Sequence, residues 1–310
     1  MKDEFYDDAE ILDCYSTQIQ VMLDVDHPTL NKLYGNVNMP SKRKLKDNGV
    51  DSIYDFFTKE VKGLPEIVVP ISKNGNLHTN QHDFSITEKL IILYGIAAGM
   101  NYLHDKKIVH LNLRPENISL NERYEPLINI DLSSKTIEKN ENLFYLMPIF
   151  SYAYVAPELL DFNENQIQNE NPQMADVYSF AMIAYYLMTG IHPYESNRGF
   201  QYILMKTKNG ERPITNGIVP YPFDKLIEEC WTREPSQRPS FKLILNRMGS
   251  SNFIRSIEHI DVQKFQDYQK KVVSEELISS ISQCAIRKRD EFKLIKMIGC
   301  GMFGGVRLAV

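Results

Sequence analysis

Residues 174–189 (MADVYSFAMIAYYLMT) carry apolar side chains on nearly every side of a helix. A helix without a polar face cannot lie on a protein surface, so it is either the centre of a domain or a membrane span. At this length it is too short to cross a bilayer, and so is the other long apolar stretch, Leu90–Met100. The chain therefore has to wrap further elements around a buried central helix, with Gly190 as its C-terminal stop.

The surrounding pattern supplies those elements. Residues 18–26 read as the end of an amphipathic helix stopped at His27-Pro28, and Thr29–Val37 as a short strand. Residues 38–63 are polar and read as a solvated insertion. Ile67–Ile71 reads as a buried strand that has to leave its sheet at Pro70, which lacks the N–H a ladder needs. Ser85-x-x-Glu88 is a capping box ahead of an apolar-striped helix over 86–104. Short strands over 108–135 follow, then helices at 198–207, 222–231 and 239–247. Val262, Phe265, Tyr268 and Val272 mark an amphipathic helix of about five turns. Sheet and helix first, mostly helix afterwards, predicts an α+β fold in two lobes.

Composition excludes several classes. A net charge of −5 argues against a nucleic-acid partner or a polybasic membrane surface. Cys14, Cys230, Cys284 and Cys300 form no C-x-x-C pair, which excludes a zinc ribbon or disulfide framework and fits a reducing compartment. The acidic start, Met1–Asp8, has no apolar signal region, so the expected location is cytoplasmic.

Several motifs then occur in one order. Tyr102-Leu103-His104 precedes His110-Leu111-Asn112-Leu113-Arg114-Pro115-Glu116-Asn117, and Val155-Ala156-Pro157-Glu158 comes next. Asp176–Phe180, Cys230-Trp231, Pro235 and Arg238-Pro239-Ser240-Phe241 follow. Upstream stand Asp26-His27-Pro28, Lys32–Gly35 and Asn74-Gly75-Asn76-Leu77. Together these resemble eukaryotic protein kinases, with their catalytic loop H-R-D-L-K-P-E-N and the A-P-E that ends the activation segment. The resemblance implies a bilobal fold with an incomplete N-lobe sheet (1–72) and a mostly helical C-lobe (73–247), then a helical linker over 248–291. The Cys-Trp ending leans toward the tyrosine-kinase-like branch, while Arg114 and Ser151 lean toward Ser/Thr specificity.

Phosphoryl transfer needs phosphates and Mg²⁺ held in place and the acceptor hydroxyl oriented. At the catalytic positions the resemblance puts Asn112, Arg114 and Asn117. Asn112 stands where the proton-accepting carboxylate belongs, and losing a general base costs about 10²–10⁴ in rate. Arg114 keeps a positive charge, and Asn117 matches the metal-ligand amide. The metal-binding D-F-G aspartate has three registers. Asn129 is preferred, since Ile130 and Leu132 then fall on apolar positions; Asp131 would retain the carboxylate, and a gapless count gives Ile130. Gln18 falls where helix C should offer a glutamate, with Lys2 as a candidate for its lysine partner. Val69 falls at the gatekeeper, and the Pro70 carbonyl and Ser72 N–H remain available to a purine. His110, Glu158, Asp176 and Arg238 are implied scaffold residues. The other histidines, including His78, His104 and His192, have no metal-ligand spacing and read as surface or packing residues.

Four of the fifteen glycines crowd the far end of the chain. Ile298–Val306 there matches G-x-G-x-x-G-x-V through Gly299, Gly301, Gly304 and Val306, which resembles a kinase nucleotide loop. Residues 292–310 either open a second, truncated kinase domain, the preferred reading, or fold back as missing strands of the first. The resemblance thus implies a pseudokinase acting by binding in signalling. The alternatives are an active ATP-dependent Ser/Thr kinase and a fragment of a longer tandem-kinase polypeptide. ATP and Mg²⁺ are the implied cofactors if nucleotide binding is retained, and a protein substrate or signalling partner is the implied binding target.

Overall fold

The structure, a computed structural model, describes residues 25–31, 35–37, 66–68, 72–130, 135–136, 152–160, 171–194, 199–215, 217–279, 294–301 and 304–309. Contacts divide the chain into two compact units, Met1–Asp26 with Asn31–Ile71 and Ser282–Val310, and His27–Leu30 with Ser72–Ile281.

The first unit holds a four-stranded sheet. Its strands are β1 (Gly35–Val37), β2 (Glu66–Val68), β7 (Leu294–Gly301) and β8 (Gly304–Ala309), in the order β1-β2-β8-β7. β1 and β2 are antiparallel, with Gly35 opposite Val68. β7 and β8 form a hairpin with Gly301 opposite Gly304 at its tip and Gly299 opposite Val306. β8 then runs parallel to β2, pairing Glu66 with Gly305 and Ile67 with Val306. The glycine-rich hairpin therefore lies in one sheet with strands from 35–68. The physical reason is edge pairing: a lone two-stranded ribbon is marginal, and β2 offers it backbone donors and acceptors. Gln18, Lys2, Val69, Pro70 and the insertion at 38–63 lie outside the described residues. Val25 and Asp26, the described end of the expected 18–26 helix, are not helical; of the strand expected over Thr29–Val37, the described residues show an isolated bridge at Leu30 and β1.

The second unit is built on two buried helices. α1 (Ile86–Asp105) starts at a capping box: the Ser85 hydroxyl accepts from the Glu88 N–H, and the Ser85 N–H donates to Glu88 Oε2 at 3.0 Å. α2 (Gln173–Thr189) is buried around its circumference from Met174 to Tyr185 and ends at Gly190, whose φ of 72° fits the left-handed cap. Leu90, Ile92, Leu93, Ile96 and Met100 of α1 are fully buried in this core. α3 (Gly199–Lys208), α4 (Tyr221–Cys230), α5 (Phe241–Met248) and α6 (Ser251–Arg255) complete the helical layer. Edge-on ring contacts, Phe180 to Phe241 at 5.6 Å and Phe223 to Phe253 at 5.4 Å, join them.

Short strands β3 (Ile108–Val109), β4 (Ile118–Leu120), β5 (Pro126–Ile128) and β6 (Lys135–Thr136) pair as β3–β6 and as the β4–β5 hairpin. Gly95 and Gly99 give α1 a smooth face one turn apart. A Cβ on Gly99 would sit 2.6 Å from Thr29 Oγ1 and 2.8 Å from Ile128 Cδ1. That notch lets Leu30 bridge to Ile128 beside the helix.

The segment 248–291, expected as a linker, is part of this unit where it is described. Helix α7 (Val262–Ser279) packs on α1 through Phe265, Tyr268 and Val272, all buried. Its apolar stripe is the reason, since it would otherwise face water. No described helix is long and apolar enough to cross a membrane.

Candidate active site

The loop from β3 to β4 holds Asn112, Arg114 and Asn117, and it hangs from the central helix α2. Asp176, in the first turn of α2, is fully buried. Its Oδ2 accepts the His110 N–H at 2.9 Å and its Oδ1 accepts the Leu111 N–H at 2.8 Å. Leu111 stands in the left-handed region at φ 59°, where a branched side chain is strained. Two charge-assisted hydrogen bonds to one buried carboxylate hold that turn. The third contact on Asp176 is His104 Nε2 at 2.9 Å, so His104 belongs to this buried network, a role its spacing in the sequence did not reveal.

From this support the loop folds back on itself. The Asn117 side-chain amide donates to the Asn112 carbonyl at 2.8 Å, and the Asn112 N–H meets His110 Nδ1 at 3.2 Å. Pro115–Asn117 form one 3₁₀ turn that leads into β4. Across the hairpin, the Asn129 N–H donates to the Asn117 carbonyl at 2.8 Å. His110 Nε2 lies 3.0 Å from the Asn129 carbonyl. The Asn129 side chain meets Ser119 Oγ through both amide atoms, Nδ2 at 2.9 Å and Oδ1 at 3.1 Å. The structure thus gathers Asn112, Asn117, Asn129, His110 and Asp176 into one network. Ile130 is buried beside them, and Asp131 lies outside the described residues. Ser72 sits at the start of the second unit, and its carbonyl accepts the Gly75 N–H at 3.1 Å.

Glu158 and Arg238 form a second anchor, below the segment 152–160. Arg238 donates Nη1 to Glu158 Oε1 at 2.5 Å and Nη2 to Oε2 at 2.9 Å. Its remaining donors reach the carbonyls of Met174, Arg233 and Thr232, so all five N–H groups are used. The guanidinium also lies 5.2 Å from the Tyr178 ring centroid.

A third cluster carries no sequence signal, because its members are far apart along the chain. His192 Nδ1 lies 3.1 Å from the Tyr154 hydroxyl, and its ring stacks on Tyr186 at 4.5 Å. His78 comes within 5.3 Å of the His192 ring and 3.9 Å of Glu116, which is equally far from Arg114 Nε. Burial, together with the neighbouring His78, lowers the His192 pKa, against the opposite pull of Glu116. Burial raises that of Tyr154.

Mg²⁺ prefers anionic oxygens; Asn117 donates its side-chain amide to the Asn112 carbonyl and Asn129 meets Ser119, while Asp131, the candidate carboxylate, lies outside the described residues. No group of three His, Cys, Asp or Glu side chains that could hold a metal occurs among the described residues.

A catalytic-type loop suspended from an aspartate of a buried central helix, with an arginine–glutamate anchor under the following segment, defines a protein kinase domain. The family model described as "Protein tyrosine and serine/threonine kinase" matches residues 4–248, and the chain belongs to that family. It is similar to "Probable serine/threonine-protein kinase drkC" of Dictyostelium discoideum, 29% identical over 78% of this chain and 30% of that protein. It is also similar to "Serine/threonine-protein kinase STY17" of Arabidopsis thaliana, 24% identical over 78% of this chain and 38% of that protein. The chain thus spans well under half the length of these relatives, both of which are named as serine/threonine-protein kinases.

Proposed function

We propose that this domain is a degenerate Ser/Thr-type kinase, a pseudokinase that acts in signalling by binding a protein partner, with phosphoryl transfer impaired. The observation that carries this reading is the amide at Asn112, where the family's chemistry calls for a carboxylate that takes the hydroxyl proton. An amide accepts a hydrogen bond but cannot take up that proton at neutral pH. The backbone contacts of Asn129 with Asn117 and His110 support the register in which Asn129, and no carboxylate, occupies the metal-binding position.

The well-kept Asp176 and Arg238 networks stabilise the fold and serve a binding role as well as a catalytic one. Any nucleotide would be held by backbone groups, with little contribution from Mg²⁺. The test is transfer of the γ-phosphate from ATP with Mg²⁺ to a mixed set of Ser/Thr peptides by the purified chain. No transfer above a protein-free blank is expected; transfer abolished by Asn117→Ala would overturn the reading.

A further inference from the structure

The family match ends at Met248, the last residue of α5, yet the second unit continues through α7. We propose that α7 is a positioning element for the candidate site, with Tyr268 and Lys271 holding the β4–β5 hairpin that carries Asn117 and Asn129 at its open end.

α7 is fixed to α1 at its start and in the middle. At its start, the Asp261 N–H donates to Thr87 Oγ1 at 2.9 Å, and Lys264 Nζ lies 3.2 Å from Glu88 Oε1. In the middle, Phe265 is fully buried and meets Tyr94 edge-on at 5.3 Å. One turn on, Tyr268 fills the notch at Gly95. A Cβ there would lie 2.3 Å from the Tyr268 hydroxyl and 2.5 Å from Pro126 Cγ. The glycine therefore allows the tyrosine on α7 and the first residue of β5 to press on the same point of α1.

The next contact reaches the hairpin turn. Lys271 Nζ lies 2.6 Å from Glu125 Oε2. The same carboxylate oxygen accepts the Asn121 side-chain amide at 2.7 Å, while Asn121 Oδ1 accepts the Glu125 N–H at 3.0 Å. The Asn121 N–H donates to the Glu125 carbonyl at 3.0 Å, closing the turn. From there the ladder runs Leu120–Pro126, Ser119–Leu127 and Ile118–Ile128. It ends on the Asn129 to Asn117 hydrogen bond and the Ser119–Asn129 pair.

Three strand residues span about 10 Å at roughly 3.3 Å each. A short ladder of this kind transmits a change of register or tilt, since its strands cannot slip by less than one residue without breaking pairs. Losing the Lys271 and Tyr268 contacts leaves the turn held on one side only, so the loosening reaches Asn117 and Asn129. Whatever displaces α7 from α1 thereby alters the site without touching it. The proposal concerns the geometry of the site and holds whether or not phosphate is transferred.

The experiment is amide hydrogen exchange on the full chain carrying Lys271→Met, Tyr268→Ala, or the conservative controls Lys271→Arg and Tyr268→Phe. The amide shifts of Asn117 and Asn129 are followed in parallel. Exchange over Ile118–Leu120 and Leu127–Asn129 is expected to rise by roughly tenfold or more in the first two variants, with the α2 amides Val177–Ala184 unchanged. The conservative variants restore the wild-type pattern and shifts. Unchanged hairpin exchange would overturn the proposal. So would a rise that extends equally through α2, because α7 would then be general core packing.

Discussion

Asn129 presents both atoms of its side-chain amide to the hydroxyl of Ser119, at 2.9 and 3.1 Å, while its backbone N–H is tied to Asn117. An aspartate at 129 would keep the hydrogen bond donated by Ser119 and add the anionic oxygen that a hard cation needs. In wild type, the rise in Tm produced by ATP is expected to be the same with and without Mg²⁺. Asn129→Asp is expected to gain an Mg²⁺-dependent increment, because only a ligand that binds the folded state raises Tm. A wild-type shift that already depends on Mg²⁺ would contradict the assignment of this position.

The Arg238–Glu158 pair should be costly to break from either side. Arg238→Ala leaves a carboxylate and three backbone carbonyls without their donor, so a loss of about 3–5 kcal/mol is expected in urea denaturation. Arg238→Lys should recover little of it. One ammonium with three donors cannot reproduce the planar fork that meets Glu158 twice. Full recovery by lysine would show that charge alone matters here.

His192 should make stability fall on the acid side. Its folded-state pKa lies below the ordinary value near 6.5, so between that value and the lowered one the unfolded chain binds more protons. Stability is then greatest above about pH 6.5, declines as pH drops through that window, and levels off below the lowered pKa. His192→Phe keeps a ring against Tyr186 and should flatten the urea midpoint between pH 7.5 and 5.5. His78, 5.3 Å from the same ring, and its neighbour Glu116 remain in that variant, and a decline of undiminished size would overturn the assignment to His192.

Gly95 and Gly99 set helix propensity against sterics. In an exposed helix, Gly→Ala would stabilise by about 1 kcal/mol. Here a Cβ on Gly99 falls 2.6 Å from Thr29 Oγ1 and 2.8 Å from Ile128 Cδ1. Overpacking of this kind costs about 1–3 kcal/mol, so Gly99→Ala should destabilise on balance. Gly95→Ala should also raise hydrogen exchange in α7, since it pushes on Tyr268. A stabilised Gly99→Ala variant would mean that the Leu30 segment moves aside freely.

The local elements were legible because their signals are local. The all-apolar run at 174–189 emerged as the buried α2, and Ser85 with Glu88 as the cap of α1. There the capping geometry is strong enough to hold Glu88 at about 2: its burial opposes ionisation, but the Ser85 hydrogen bonds and Lys264 outweigh it. The stripe of Val262, Phe265, Tyr268 and Val272 marked the helix, yet a stripe does not say which surface it meets, and α7, within the segment that read as a linker, packs on α1. His104 and His192 looked like ordinary surface or packing residues because their partners, Asp176 and Tyr154, lie 72 and 38 positions away.

The sequence by itself determined the class of fold and the amide at position 112, because periodicity, caps and motif order are properties of neighbouring residues. Tertiary structure decided which distant groups share a hydrogen bond: Asp176 with His104 and the loop at 110–111, Asn129 with Ser119, and Lys271 with Glu125. Those pairings depend on how closely elements approach. At Gly95 and Gly99 that approach is set by the absence of a single methyl group, whose consequence appears only when the opposing surface is in place.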